Sequence, residues 1–276
     1  MSGAKEGRIN VLLVGMRGLN MPGGSLLADT IMVVSIKPEE NKVAMISIPR
    51  DLHVEIPGKG YSRKINEANP IGEEAGKGKG LDLMKETVSH VTGLPIHYAV
   101  SANFNALRDT VDILDGVTVH LDKPFEESKQ FVEGNECGGD FKLPAGDVRL
   151  SGEKALCYSR ARYATSDFDR ARRQQEVLLA IKDKGLSVGT LTDFNKVNDL
   201  LNVVGDNIRT DMQPWEMQEI YGLMRKLDNP HVSRKVFDTT EKGLLYSGDN
   251  GSYILLPVGN NFDKIHEACQ NIFDQE

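Results

Sequence analysis

Thr30-Ile-Met-Val-Val-Ser-Ile36 and Val43-Ala-Met-Ile-Ser-Ile48, joined by Lys37-Pro-Glu-Glu-Asn-Lys42, decide the fold class. Both runs are rich in β-branched residues, and the connection between them is short and polar, so the pair reads as a β-hairpin. Upstream, Ile9–Gly15 reads as a further strand. Downstream, Gly58 to Gly80 is rich in Gly and Lys and reads as a loop. Leu81, Met84, Val88 and Val91 then recur at helical spacing, and Gly93 and Pro95 stop that helix. His97–Ser101 reads as a strand, and Phe104, Leu107, Val111 and Leu114 mark a second amphipathic helix ended by Asp115-Gly116. Val117–Leu121 reads as a strand again. Strands alternating with helices predict an α/β fold, a central β-sheet sandwiched between helical layers. The hairpin makes that sheet mixed.

Further along, Ser151 caps a segment running to Arg162, and a strong helix spans about Asp169 to Lys184. Trp215–Leu227 is helix-like and Tyr253–Pro257 strand-like. No Pro-, Gly- or Ser-rich linker intervenes, so residues 8–276 read as one domain, with 185–276 as its C-terminal part and 1–7 as a polar, trimmed tail.

The 276 residues are 39% hydrophobic and 26% charged, an ordinary globular composition. The net charge of −7 excludes a wholesale nucleic-acid coat, so any anion binding must be local. The longest apolar runs, such as Val11–Val14 and Ile31–Val34, are too short to span a bilayer. Cys137, Cys157 and Cys269 are too widely spaced for a metal knuckle. A Cys137–Cys157 bridge and three free thiols are both compatible with that spacing.

The arginines are unevenly spread. Arg160, Arg162, Arg170, Arg172 and Arg173 place five of fourteen arginines inside fourteen residues. A solvated basic helix face is the plain reading of such a run. The spacing argues otherwise: Arg170, Arg173 and Gln174 continue the stripe of Val177, Leu178 and Ile181, which faces inward. Buried guanidinium groups need either carboxylate partners or an anion, and a helix N-terminus adds to the same positive field. If their segment is extended, Arg160 and Arg162 share a side and suit a diphosphate, which two forked guanidiniums can grip bidentately. Ser47-Ile48-Pro49-Arg50-Asp51 follows a strand, where α/β sheets place ligand residues; a strand-end ion pair is the alternative. Asp29 opens a strand and is a candidate Mg2+ ligand, base or turn carboxylate. Lys64 and Asn66 offer donors in a loop. Ser151-Gly152-Glu153-Lys154 has the spacing of a serine–lysine nucleophile, but a helix cap accounts for Ser151. No phosphate-binding P-loop, metalloprotease helix or nucleophile elbow is present.

Leu27-Ala28-Asp29-Thr30-Ile31-Met32, Ser47-Ile48-Pro49-Arg50-Asp51, Lys64-Ile65-Asn66, Tyr158-Ser159-Arg160-Ala161-Arg162, Asp167-Phe168-Asp169-Arg170 and Arg173-Gln174-Gln175 occur in the order of the LytR–CpsA–Psr (LCP) family. The chain resembles that family over most of residues 8–184 and more weakly beyond. The resemblance implies an extracytoplasmic phosphotransferase on the outer face of the bacterial cytoplasmic membrane. Such an enzyme moves a glycopolymer, such as teichoic acid or capsule, from a polyprenyl-pyrophosphate carrier to peptidoglycan. It also implies an apolar tunnel for the lipid and an N-terminal anchor helix missing from this chain. Val177, Leu178, Ile181, Leu81, Met84, Val88, Phe104, Leu107 and Val111 would line that tunnel, with plain core packing the alternative reading and the expected one for most of them.

By position, the resemblance assigns the pyrophosphate to Arg50, Arg160, Arg162 and Arg170, with Lys64, Asn66, Arg173 and Gln174 in support. Asp51 orients its arginine neighbour and Asp29 binds Mg2+. The family reads Gly-x-Asp after its first strand, where this chain reads Gly15-Met16-Arg17. Arg17 is then expected to take over part of the metal's charge role, or the alignment slips in the Gly18–Gly24 loop. The alternatives are a polyprenyl-pyrophosphate phosphatase and a non-enzymatic binder of anionic polyprenyl lipid. A nucleic-acid partner is not expected, since only Tyr158, Tyr163 and Phe168 flank the arginines and the overall charge opposes it.

Overall fold

The computed structural model describes residues 7–19, 24–130, 137, 139–186, 207–249 and 251–274. The tail to residue 6, positions 20–23 of the Gly18–Gly24 loop and residues 187–206 lie outside the described residues. The chain divides into two compact units, Met1–Ser101 with Arg209–Glu276, and Ala102–Ile208.

In the first unit β1 (Ile9–Gly15), β2 (Thr30–Lys37) and β3 (Lys42–Ser47) form an antiparallel meander. Its register pairs Gly15 with Thr30 and Met32 with Ser47. A small hairpin, β4 (His53–Glu55) with β5 (Ser62–Lys64), precedes α1 (Ala68–Ala75), α2 (Lys79–Thr92) and β6 (Tyr98–Ala102). The second unit carries α3 (Phe104–Ile113), β7 (Val117–Leu121), β8 (Phe125–Glu127), β9 (Phe141–Leu143), β10 (Gly146–Leu150), α4 (Gly152–Arg160) and α5 (Asp167–Gly185). The chain closes with β11 (Ile208–Thr210), α6 (Pro214–Lys226), β12 (His231–Val236), the hairpin β13 (Leu245–Asp249) and β14 (Tyr253–Pro257), and α7 (Asp263–Gln270).

The main sheet runs β11-β6-β1-β2-β3-β12. Because β12 joins β3 in parallel while β1, β2 and β3 are antiparallel, the sheet is mixed, as expected from the hairpin. Both of its faces are covered. Ile9 and Val11 pack with Tyr98 against Met212, Ile220 and Leu223, which puts α6 on one face. On the other face Asn10 and Ser35 share a buried hydrogen bond of 2.6 Å. The Arg8 guanidinium reaches both of them and also donates to the carbonyls of Cys269 and Gln270 at the end of α7. The first strand and the last helix are thereby joined, by a cation placed where a helix C-terminus is negative.

The segment expected to be loop, Gly58 to Gly80, is not one: it holds β5, a 3-10 turn at Ile65–Glu67, and α1. Two of its glycines, Gly72 and Gly80, are contact points between helices. A Cβ on Gly72 would meet the Cα of Gly80 at 2.7 Å, and a Cβ on Gly80 would meet the Asn69 carbonyl oxygen at 2.7 Å. Composition alone cannot separate glycine used for a turn from glycine used for close backbone approach.

In the second unit, Val111, Val117, Val119, Leu150, Tyr158 and Val177 build a core, with Leu107 and Ile181 packed against it. Leu178 is only half-buried. Cys137 and Cys157 are joined by a disulfide, and Cys269 is free and buried. Burial pushes the Cys269 thiol up to about 12. Among the described residues no helix is long and apolar enough to cross a membrane.

Candidate active site

In the first unit, Arg50 and Asp51 follow β3 after Pro49 interrupts the ladder. Their backbone is fixed from three sides. The Arg50 carbonyl accepts from Asn66 N, the Asp51 carbonyl from Leu255 N, and the Leu52 carbonyl from Ile65 N. The side chains form a chain of charges. Arg50 Nη1 lies 2.6 Å from Asp29 Oδ1, and Arg50 Nε lies 3.6 Å from Asp51 Oδ2. Lys64 Nζ lies 2.6 Å from Asp51 Oδ1. Two carboxylates therefore hold a fork and a point charge in fixed positions, which is what anion recognition needs in advance of its ligand.

Asn66 is 7% exposed, and its Oδ1 is buried without a hydrogen-bond partner. Its carbonyl accepts from Ala28 N, so it sits beside the residue preceding Asp29. Arg17 follows β1 just past the Gly15–Thr30 pair, half-buried, with a buried Nε that also lacks a partner.

The second unit gathers Arg160, Arg162, Arg170, Arg173 and Gln174 around the turn from α4 to α5. Arg160 is the last residue of α4 and Ala161 leaves it at ψ 132, so the pair Arg160 and Arg162 straddles a helix end. The fully extended run that would set them side by side is not what forms. Arg160 lies over the Phe104 ring at 4.8 Å, and Arg162 over Tyr163 at 5.3 Å. Ser166 caps α5 by accepting from Asp169 N, which frees Asp167 to face the arginines. Asp167 lies 3.0 Å from Arg170 Nη2 and 3.4 Å from Arg162 Nη1.

Arg170 and Arg173 are 8% and 6% exposed, so the inward stripe of α5 does begin with guanidiniums. Their partners differ. Arg170 takes a carboxylate, whereas Arg173 takes the C-terminus of α4. It donates from Nε to Tyr158 O at 3.0 Å, from Nη2 to Ala161 O, and from Nη1 to Thr165 Oγ1 at 3.2 Å. It also lies over the rings of Phe125 and Tyr158. Gln174 Nε2 donates to Ser159 O at 3.2 Å. These side chains satisfy carbonyls that a helix end leaves orphaned. Burial pushes the Arg173 guanidinium down from its ordinary value, which nearby Tyr158, Asp169, Glu176 and Glu127 oppose.

Two residues here carry no signal in the sequence. Glu127 is fully buried and its carboxylate accepts from the backbone N–H groups of Lys129, Gln130 and Ala164. Burial alone would raise it, but the backbone donors, Tyr163 among them, hold it below the usual carboxylate range. Gln130 donates to Arg160 O at 2.8 Å and accepts from Arg162 N at 2.7 Å. Side chains that pair with backbone leave no spacing motif to read.

The LytR_cpsA_psr family model matches residues 1–271. The chain belongs to the LytR–CpsA–Psr family. Among its relatives is a polyisoprenyl-teichoic acid–peptidoglycan teichoic acid transferase TagU from Bacillus cereus, 33% identical over 226 residues. That match takes in 79% of this chain and 66% of the relative, just under two thirds of its length. A crystal structure described as a transcriptional regulator from Enterococcus faecalis superposes with a TM-score of 0.73 at 26% identity, covering 99% of this chain and 90% of that one. TagT bound to LIIa-WTA superposes with a TM-score of 0.71 at 26% identity, covering 98% and 92%. The mixed sheet with flanking helices is thus the fold of this family's solved members.

Whether an LCP magnesium ion suits the first unit is a question of donors. Among the described residues no three His, Cys, Asp or Glu side chains gather. Asp29 is one carboxylate, and Asn66 Oδ1 is a buried oxygen in want of a partner. Magnesium keeps several waters and is commonly bound by one or two carboxylates together with substrate phosphates. The residues fit an ion shared with a substrate, not one caged by the protein.

Proposed function

We propose that this chain is an extracytoplasmic phosphotransferase, acting as one catalytic domain over residues 8–276. It would move a glycopolymer of the teichoic acid kind from a polyprenyl-pyrophosphate carrier to peptidoglycan, at the outer face of the bacterial cytoplasmic membrane. The names of the TagU and TagT relatives support the reaction. The observation that carries it is the gathering of guanidiniums at the start of α5, where Arg162 and Arg170 both approach Asp167, at 3.4 and 3.0 Å. Forked cations held in place beside a helix N-terminus suit the oxygens of an oligophosphate.

Transfer breaks the P–O–P bridge, joins phosphorus to an acceptor hydroxyl of peptidoglycan as a phosphodiester, and releases polyprenyl phosphate, while the hydroxyl proton passes to solvent. Such a reaction needs mainly positioning and charge stabilisation. In the first unit Arg50 would hold phosphate oxygens, with Lys64, Asn66 and Arg17 in support; in the second unit Arg160, Arg162 and Arg170 would do so. Asp51 fixes Arg50 and Lys64, and Arg173 and Gln174 fix the end of α4. Asp29 would hold Mg2+, which when bound neutralises phosphate charge. An apolar tunnel for the polyprenyl chain, and attachment to the membrane through an anchor, belong to the same proposal. The description of the Enterococcus structure as a transcriptional regulator is not carried over, because the net charge of −7 opposes a nucleic-acid partner.

The test is a transfer assay on a polyprenyl-pyrophosphate-linked glycopolymer with and without Mg2+. Arg50→Ala and Arg160→Ala should each abolish most turnover, and Asp29→Asn should raise the Mg2+ concentration required. Equal activity in all proteins would remove the arginine assignment. Release of inorganic or lipid phosphate without transfer would favour a phosphatase.

A further inference from the structure

Beyond α4 the chain from Ala161 to Ala164 lies in no helix or strand, yet the N–H groups of Ala161, Arg162 and Ala164 and the carbonyls of Ala161 and Arg162 are paired. A buried N–H or C=O must find a partner, and a neighbouring strand is the common source. Here two side chains substitute for one. Gln130 takes the Arg160 carbonyl and the Arg162 N–H, and Glu127 takes the Ala164 N–H at 2.9 Å. Tyr163 N–H also turns toward Glu127, so positions 160, 162, 163 and 164 are all held through their backbone. The two residues also brace each other, since Glu127 Oε1 accepts from Gln130 N at 3.1 Å. Glu127 is 0% exposed, and its hydrogen bonds all go to backbone N–H groups. An ionised group is held in such a place only by strong, directed partners.

What these contacts fix is the origin of two guanidinium side chains. We propose that Glu127 and Gln130 are positioning residues that set Arg160 and Arg162 for the pyrophosphate of the substrate; the inference rests on the function proposed above. Neither residue touches the reacting atoms. They remove backbone freedom that the arginines would otherwise lose on binding. Ordering a rotamer-rich side chain at a binding site is worth about 0.5–1.5 kcal/mol, or about 2–12-fold in affinity.

The experiment titrates the full chain with inorganic pyrophosphate, and measures KM and kcat for transfer, at a temperature where every variant is folded. The proteins are wild type, Arg160→Ala, Gln130→Met, Glu127→Gln and Lys129→Ala. Lys129 is exposed and contributes only its backbone N–H to Glu127, so its variant should match wild type. Gln130→Met keeps the side-chain volume and removes both contacts. Glu127→Gln turns an amide donor toward one of the backbone N–H groups. Both should weaken pyrophosphate binding and raise KM by about 3–10-fold, with a smaller change in kcat. A loss of fold stability alone would leave KM unchanged under these conditions. If Glu127→Gln does not fold, Gln130→Met carries the test. Wild-type affinity in Gln130→Met, with Arg160→Ala impaired, overturns the positioning role alone. Wild-type affinity in Arg160→Ala as well overturns the arginine assignment and the positioning role with it.

Discussion

Replacing Arg173 with Met should destabilise the protein more than replacing its neighbour Arg172, although both are arginines on one helix. Arg173 is 6% exposed and donates to two backbone carbonyls, Tyr158 and Ala161, and to Thr165 Oγ1. Methionine fills much of the same space between the Phe125 and Tyr158 rings but donates nothing. Each buried carbonyl left without a donor costs about 1–3 kcal/mol, and the lost cation–π contacts add roughly 0.5–1. Since such terms overlap, a net loss of about 3–4 kcal/mol is expected. At roughly 2–4 °C per kcal/mol for a chain of this size, the melting temperature should fall by about 6–16 °C. Arg172 is exposed and pairs with Asp169, one turn away, at 2.7 Å. Its replacement should change stability by less than about 0.5 kcal/mol. Thermal and urea unfolding followed by circular dichroism would measure both. Equal shifts would refute the view that Arg173 acts by holding the end of α4.

Arg50→Lys keeps the charge but loses the fork that meets Asp29 and Asp51 together, so transfer should fall about 10²–10³-fold with little change in melting temperature, as read in the transfer assay. Cys137→Ser opens a disulfide that spans 20 positions of sequence, and unfolding by urea should show a loss of about 3 kcal/mol, reproduced by reducing the wild type. The lowered Glu127 carboxyl gives stability that is complete above the ordinary carboxylate pKa and is lost as pH falls through the folded-state value. Glu127→Gln should therefore flatten the acid limb of the stability–pH curve, and an unchanged limb would contradict the assignment.

The strands were legible where apolar, β-branched runs meet polar turns: β1, β7 and β14 end where the pattern ends. The burial of Arg170 and Arg173 was legible from the stripe they share with Val177. Their partners were not. A carboxylate three residues away is visible in sequence, but the carbonyls of Tyr158 and Ala161 become acceptors only once α4 ends where it does. Helix α1 was hidden because glycine at 72 and 80 serves close packing, which looks like loop composition. The Cys137–Cys157 bond joins positions whose spacing encodes no geometry, and Glu127 and Gln130 pair with main chain, which every residue possesses.

The order of the main sheet bears on how the protein is made. The outer edge of β3 is closed by β12, which leaves the ribosome roughly 180 residues later. At bacterial elongation rates of about 5–20 residues per second, that edge stays open for roughly 10–40 s. Throughout that interval alternate residues of β3, Val43 and Met45 among them, offer unpaired backbone groups on an apolar strand, a template for joining another nascent chain. The inserted unit, Ala102–Ile208, is complete before β12 exists, so it has the opportunity to fold first. Aggregation during expression should therefore track translation speed across residues 102–230 more closely than the stability of the finished molecule.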